Sequence, residues 1–152
     1  MTAVSRWAGV FVAYKAVNLQ ASVTMVSEHT WRLMVTHVGS DYAAGDTTSG
    51  VSKSIVFLYK NIEAVTGKTP IGAITPPTAV ASNFLAMAKN LSRLSKQVVV
   101  HTVAHQWAGV LREVAVDHLT VVSHSGHCVV VSVASISGIA VEGHSDADVS
   151  CG

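Results

Sequence analysis

Charge is what this chain has least of. Lys, Arg, Asp and Glu make up 12% of its 152 residues, about half the usual share. A surface so poor in charge is hard to keep soluble alone, so much of the exterior is expected to be covered by another chain. The formal net charge of +1 supplies no basic footprint for nucleic acid. No apolar run in the sequence reaches the length of a membrane-spanning helix. Cysteine is scarce as well. Cys128 and Cys151 are too few for a disulfide framework, and a reducing compartment is the simpler expectation. Nucleophile and phosphate motifs are missing. There is no Gly-x-Ser-x-Gly, and Cys128 reads as a small apolar residue within a strand. Gly67-Lys68-Thr69 ends a predicted helix, whereas a phosphate loop begins one.

Acids are also absent from the start. Residues 1–27 carry Arg6 and Lys15 but no Asp or Glu, and Trp7, Val10, Phe11, Tyr14 and Val17 lie at helical spacing. Such a segment suits an organellar address, which would place the protein in a mitochondrion, or else a helix packed on the domain of a cytoplasmic protein. The helix is expected to pack on the domain, and the basic, acid-poor start leans the expected location towards a mitochondrion, otherwise the cytoplasm.

What is present in quantity is apolar surface, 49% of the residues. In the stretch Ser49 to Gly67, Val51, Ile55, Leu58, Ile62 and Val65 recur at alternating steps of four and three, one helical face. Val56, Phe57 and Tyr59 extend the apolar surface round the other sides, which predicts a buried central helix. Ser49 would be its N-cap and Gly67 its C-cap. Ala21–Ser27 and Arg32–Val38 predict a hairpin, and Gly39–Thr48 a loop. Thr78–Ala88 reads as helix by composition but as strand if pairing overrides propensity. Gln97–His105, Leu111–Val122 and His127–Ser135 predict three further strands, with Ile139-Ala140-Val141 as a brief extension. Trp7-Ala8-Gly9-Val10 recurs as Trp107-Ala108-Gly109-Val110, and Thr24-Met25-Val26-Ser27 is echoed by Thr120-Val121-Val122-Ser123. The two copies predict different local structures, so the recurrence is read as coincidence.

The order of elements resembles the hot-dog domain of the acyl-CoA thioesterase superfamily, an α+β fold whose antiparallel sheet wraps one long central helix. The resemblance covers about residues 19–136, with an extra helix over 1–18 and a polar tail over 137–152. Just before the helix the stretch Tyr42-Ala43-Ala44-Gly45-Asp46-Thr47-Thr48-Ser49-Gly50 matches the family pattern at Gly45 and Gly50. Tyr42 stands in place of the catalytic amide or carboxylate, Thr48 and Ser49 in place of His-Gly, and Phe57 near the place of the helical acid. Thioester hydrolysis needs a carboxylate or amide to activate water and N–H donors at a helix start to polarise the carbonyl. The resemblance therefore implies a catalytically degenerate protein, acting as a structural or interaction subunit of a homo- or hetero-oligomer, or of a larger complex. The alternative it implies is an active thioesterase with Asp41 or Asp46 as base, N–H groups near Ser49, Gly50 and Val51 as the oxyanion site, and acyl-CoA as the ligand.

A third reading rests on the eight histidines. His101 and His105 are four apart but lack the Glu of the zinc-protease pattern, His124 and His127 flank a turn, and His144, Asp146 and Asp148 cluster near the end. No metal site is assigned to them, and no cofactor is expected.

Overall fold

In the computed structural model the described residues are 6–26, 29–48, 54–67 and 83–141. They form helix α1 (Arg6–Ala16), strands β1 (Gln20–Met25), β2 (Thr30–Val38), β3 (Tyr42–Thr47) and β4 (Ser54–Leu58), a 3-10 turn (Tyr59–Asn61) and β5 (Ile62–Thr66). Then come α2 (Phe84–Arg93), β6 (Gln97–Thr102), β7 (Gln106–Val114), β8 (His118–Val122), β9 (Cys128–Ser132), a second 3-10 turn (Val133–Ser135) and β10 (Ile136–Val141). All ten strands join one sheet in the order β5-β1-β2-β3-β4-β10-β6-β7-β8-β9. Every pairing is antiparallel.

The chain is thus built twice. Each half is a helix, four strands, a 3-10 turn and a fifth strand that returns beside the first. Hydrogen bonds repeat with the elements. Met25 N donates to His29 O at 2.9 Å, and Thr102 N to His105 O at 2.8 Å. Tyr59 N donates to Asp41 O at 3.0 Å, and Val133 N to Asp117 O at 2.9 Å. Gly39 N donates to Tyr42 O, and Ala115 N to His118 O, both at 2.8 Å. The halves meet edge to edge where β4 pairs with β10, placing Ile139 opposite Val56 and Gly138 opposite Phe57. Gly138 is required there, because a Cβ would stand 2.8 Å from Val56 O and 3.2 Å from the Trp31 ring.

Two cores lie on opposite faces of the sheet. One gathers Phe11 and Tyr14 of α1 with Val23, Leu33, Ile55 and Phe57. The other gathers Phe84 and Leu91 of α2 with Val98, Leu111, Leu119 and Ile139. Alternate residues of a strand face opposite sides, and along β4 Ile55 and Phe57 enter the first core while Val56 and Leu58 enter the second.

This architecture replaces the hot-dog expectation. The described fold is predominantly β, with helices of 11 and 10 residues, and among the described residues no long helix lies at its centre. Of the predicted central helix, the described part is β4, the first 3-10 turn and β5. The reason is physical. Because β4 has a core on each face, four of its five residues are buried, which erases the two-residue alternation. The 3-10 turn then shifts the phase, so the apolar spacing across it imitates a helix. Other expectations are corrected in the same way. Gly39–Thr48 holds a strand, where Gly45 lets β2 approach its backbone: a Cβ there would collide with Met34 O. Leu111–Val122 is the end of β7, a turn and β8. Residues 137–141, assigned to a polar tail, belong to the fully buried strand β10.

Several expectations match. The N-terminal helix packs in the core through Ala8 and Phe11, both 0% exposed, so it is an integral wall of the first half. The β1–β2 hairpin forms. The described part of Thr78–Ala88 is helical from Phe84, capped by Asn83 Oδ1 accepting from Ala86 N at 2.9 Å. No helix among the described residues is long and apolar enough to cross a membrane.

Candidate functional site

A cleft of about 730 Å³ opens at the seam between the halves. The first half contributes Ser40 and Asp41 of the β2–β3 turn, Leu58, and the 3-10 turn residues Tyr59 and Lys60. The second half contributes the start of α2 (Asn83 to Leu85), the β7–β8 turn at Val116, Leu119 and Val133. The polar groups around it serve mainly to tie the halves together. Asp41 Oδ1 accepts from Phe84 N at 2.7 Å, so the carboxylate sits on the N-terminus of α2, where the helix dipole favours a negative charge. Lys60 Nζ donates to Val133 O and Asn61 Nδ2 to Ile136 O, each at 2.6 Å. Tyr59 Oη donates to Gly39 O at 2.9 Å. Burial, reinforced by Tyr42 and Asp41, raises the Tyr59 pKa well above the ordinary phenol value. Burial lowers the Lys60 pKa, and Asp41 opposes that shift.

The predicted catalytic residues do not converge. Asp41 and Asp46 flank opposite ends of β3, five residues apart and therefore about 16 Å at strand rise. Asp41 is engaged as a helix cap, and Asp46 is exposed opposite Ser54. Tyr42 is 2% exposed within the α2 core, and Phe57, 0% exposed, lies on a strand with its ring 5.0 Å from that of Phe11. Neither residue has the position the hot-dog pattern assigns it. Thr48 is an exposed strap that accepts from Gln20 Nε2 at 2.8 Å. Ser49, Gly50 and Val51 lie outside the described residues, and the described part of the expected helix is strand from Ser54. The cleft is therefore an apolar pocket with a polar rim, suited to holding a side chain or small ligand. Among the described residues it brings together no carboxylate pair.

A second cluster escaped the sequence reading. His29, Trp31 and His101 pack at the seam, with ring centroids 4.6 Å apart for His29–Trp31 and His29–His101 and 5.1 Å for Trp31–His101. Burial, with a smaller contribution from His29, pushes the His101 pKa down to about 4. Burial also lowers that of His29. His101 thus pairs with His29 and not with His105, which stacks on Trp107 at 5.7 Å. His127 Nδ1 is 2.8 Å from Ser125 Oγ. Among the described residues no three His, Cys, Asp or Glu side chains gather as metal ligands. His144, Asp146 and Asp148 lie outside them. Cys128 is exposed on β9 and is disulfide-bonded, which removes the cysteine argument for a reducing compartment.

One signal in the sequence could have revealed the duplication. His29-x-Trp31, Val38 and Asp41 recur at a constant spacing as His105-x-Trp107, Val114 and Asp117, and each pair occupies the same place in its half. The Trp-Ala-Gly-Val strings do not, one being in α1 and the other in β7. No protein-family model matches the chain, and neither a curated protein nor a solved structure does.

Proposed function

We propose that the protein works as a structural or interaction subunit of a larger assembly, and that it does not hydrolyse thioesters. The observation that carries this reading is the sheet itself. Two equivalent halves are already joined edge to edge through β4 and β10, and the outer strands β5 and β9 each pair with one strand only among the described residues, β1 and β8 respectively. A strand edge presents a row of free N–H and C=O groups that another strand can satisfy. Proteins commonly blunt such an edge with charge, yet β9 (Cys128-Val129-Val130-Val131-Ser132) has none and leaves Val130 66% exposed. The low charge of the whole chain supports the same reading.

The test is the native mass of the tagged chain in an extract of its own cells. Several chain masses are expected, falling when Val130 is replaced by Lys. The mass of one chain would refute the reading. So would turnover of a short-to-long acyl-CoA panel by the purified protein, for which no hydrolysis is expected.

A further inference from the structure

The internal seam specifies what the outer edges fit. In the repeat, β9 is to the second half what β4 is to the first, and β5 is to the first what β10 is to the second. We infer that the β9 edge of one copy pairs antiparallel with the β5 edge of a second copy, reproducing the β4·β10 junction and carrying the sheet from chain to chain. This rests on the assembly reading above and names the partner as the chain itself.

The register follows from the seam. Carrying its pairings across by element position sets Val130 opposite Val65 and Val131 opposite Ala64, as Val56 faces Ile139 and Phe57 faces Gly138. The burial pattern shows what this contact would complete. Val56, the equivalent of Val130, is 4% exposed because it enters the neighbouring half's core, whereas Val130 is 66% exposed. Ala140, the equivalent of Thr66, is 1% exposed and likewise enters the core across the seam, whereas Thr66 is exposed. Trp31 is 7% exposed beneath Gly138, while its equivalent Trp107 is only half-buried. Beside β9 an open groove of about 280 Å³, lined by His105, Trp107, Val130 and Ser132 among others, occupies the place that β10 fills in the first half. Two departures stand out: Ala64 stands where Gly138 does, so Trp107 must sit slightly farther from the incoming strand than Trp31 does, and the exposed Glu63 stands where Ser137 is 0% exposed, so its carboxylate must keep its access to water at the junction.

The contact is heterologous: the donor edge and the acceptor edge differ, and each copy keeps one of each. Such contacts build rings when the rotation closes and filaments when it does not. They also make a sharp prediction about edge-blocked variants. Val130→Lys and Thr66→Lys each alter one exposed side chain, so each variant folds as the parent does, checked by its circular dichroism and Trp fluorescence. By sedimentation the purified parent is expected at more than one chain mass, and each variant alone at one chain mass. An equimolar mixture of the two variants is expected to form a one-to-one pair, since each supplies the edge the other lacks. A variant that still dimerises alone would show like-with-like pairing and overturn the inference. So would a mixture that stays at one chain mass. A monomeric purified parent, together with a large native mass in cells, would overturn it while leaving the assembly reading intact with a different chain as partner. One chain mass in both settings would overturn both.

Discussion

Acid should loosen this protein at its seam, and the size of the effect can be worked from His101. The imidazole is 6% exposed against Trp31 and His29, and its pKa is pushed from 6.5 down to about 4. The folded state therefore holds fewer protons than the unfolded state between those values. Stability rises with pH wherever the unfolded chain binds more protons. The contribution of neutral His101 is thus fully present above about pH 6.5 and is lost progressively as pH falls towards 4. The linkage relation gives a loss of about 2 kcal/mol at pH 5 and about 3 kcal/mol at pH 4. His29, whose pKa is also lowered by burial, adds a smaller loss of the same sign. The assay is urea denaturation followed by Trp fluorescence at several pH values from 7.5 to 4, for the parent and for His101→Leu. The variant has no proton to take up at that position, so its stability should fall less over this interval, by about 2 to 3 kcal/mol. Parallel pH profiles for the two proteins would refute the reasoning, because they would mean that His101 is solvated or already charged in the folded state.

Other residues can be tested through stability. Asp41→Ala removes the carboxylate from the start of α2 and should cost about 1 kcal/mol, with Asn83 still capping; an unchanged urea midpoint would mean that the helix docks without it. Phe57→Ala opens the fully buried contact with Phe11 and should cost about 3 to 5 kcal/mol. Exposed Asp46→Ala should stay within about 0.5 kcal/mol of the parent. A larger loss from Asp46→Ala than from Phe57→Ala would reverse the assignment of core and surface.

Strand existence was largely legible where one face is solvated or where residues are densely β-branched. Arg32–Val38 and Gln97–Thr102 are of this kind, and their predicted strands are found. Legibility failed where burial is two-sided. Ile55, Val56, Phe57 and Leu58 are all buried because a different core lies on each side, and a strand with no solvent face loses its periodicity. β3 was hidden for another reason. Ala43-Ala44-Gly45 looks like loop, yet the small side chains are what the close approach of β2 requires. The candidate site fails along with the helix, since the expected roles of Tyr42, Phe57 and Asp41 depend on a helix over Ser49 to Gly67, and the described part of that stretch is two strands joined by a 3-10 turn. His29 and His101 could not be paired from sequence. His101 lies on β6 and His29 just before β2, strands separated in the sheet by β3, β4 and β10, so only the tertiary packing brings them together.

The sequence by itself determined the materials: several β-rich stretches, a packed N-terminal helix, a chain poor in charge, and a His-x-Trp, Val, Asp pattern written twice. Those properties are local, set by side-chain chemistry and by spacings within a few residues. Tertiary structure alone decided that the two halves share one sheet, that their cores face opposite ways, and that Asp41 caps a helix while Val130 is left exposed. Each of these depends on contacts between stretches far apart in the chain, 43 residues for Asp41 with Phe84 and about twice that at the β4·β10 seam, and pairing at that range is chosen by the completed core, not by any stretch of chain read alone.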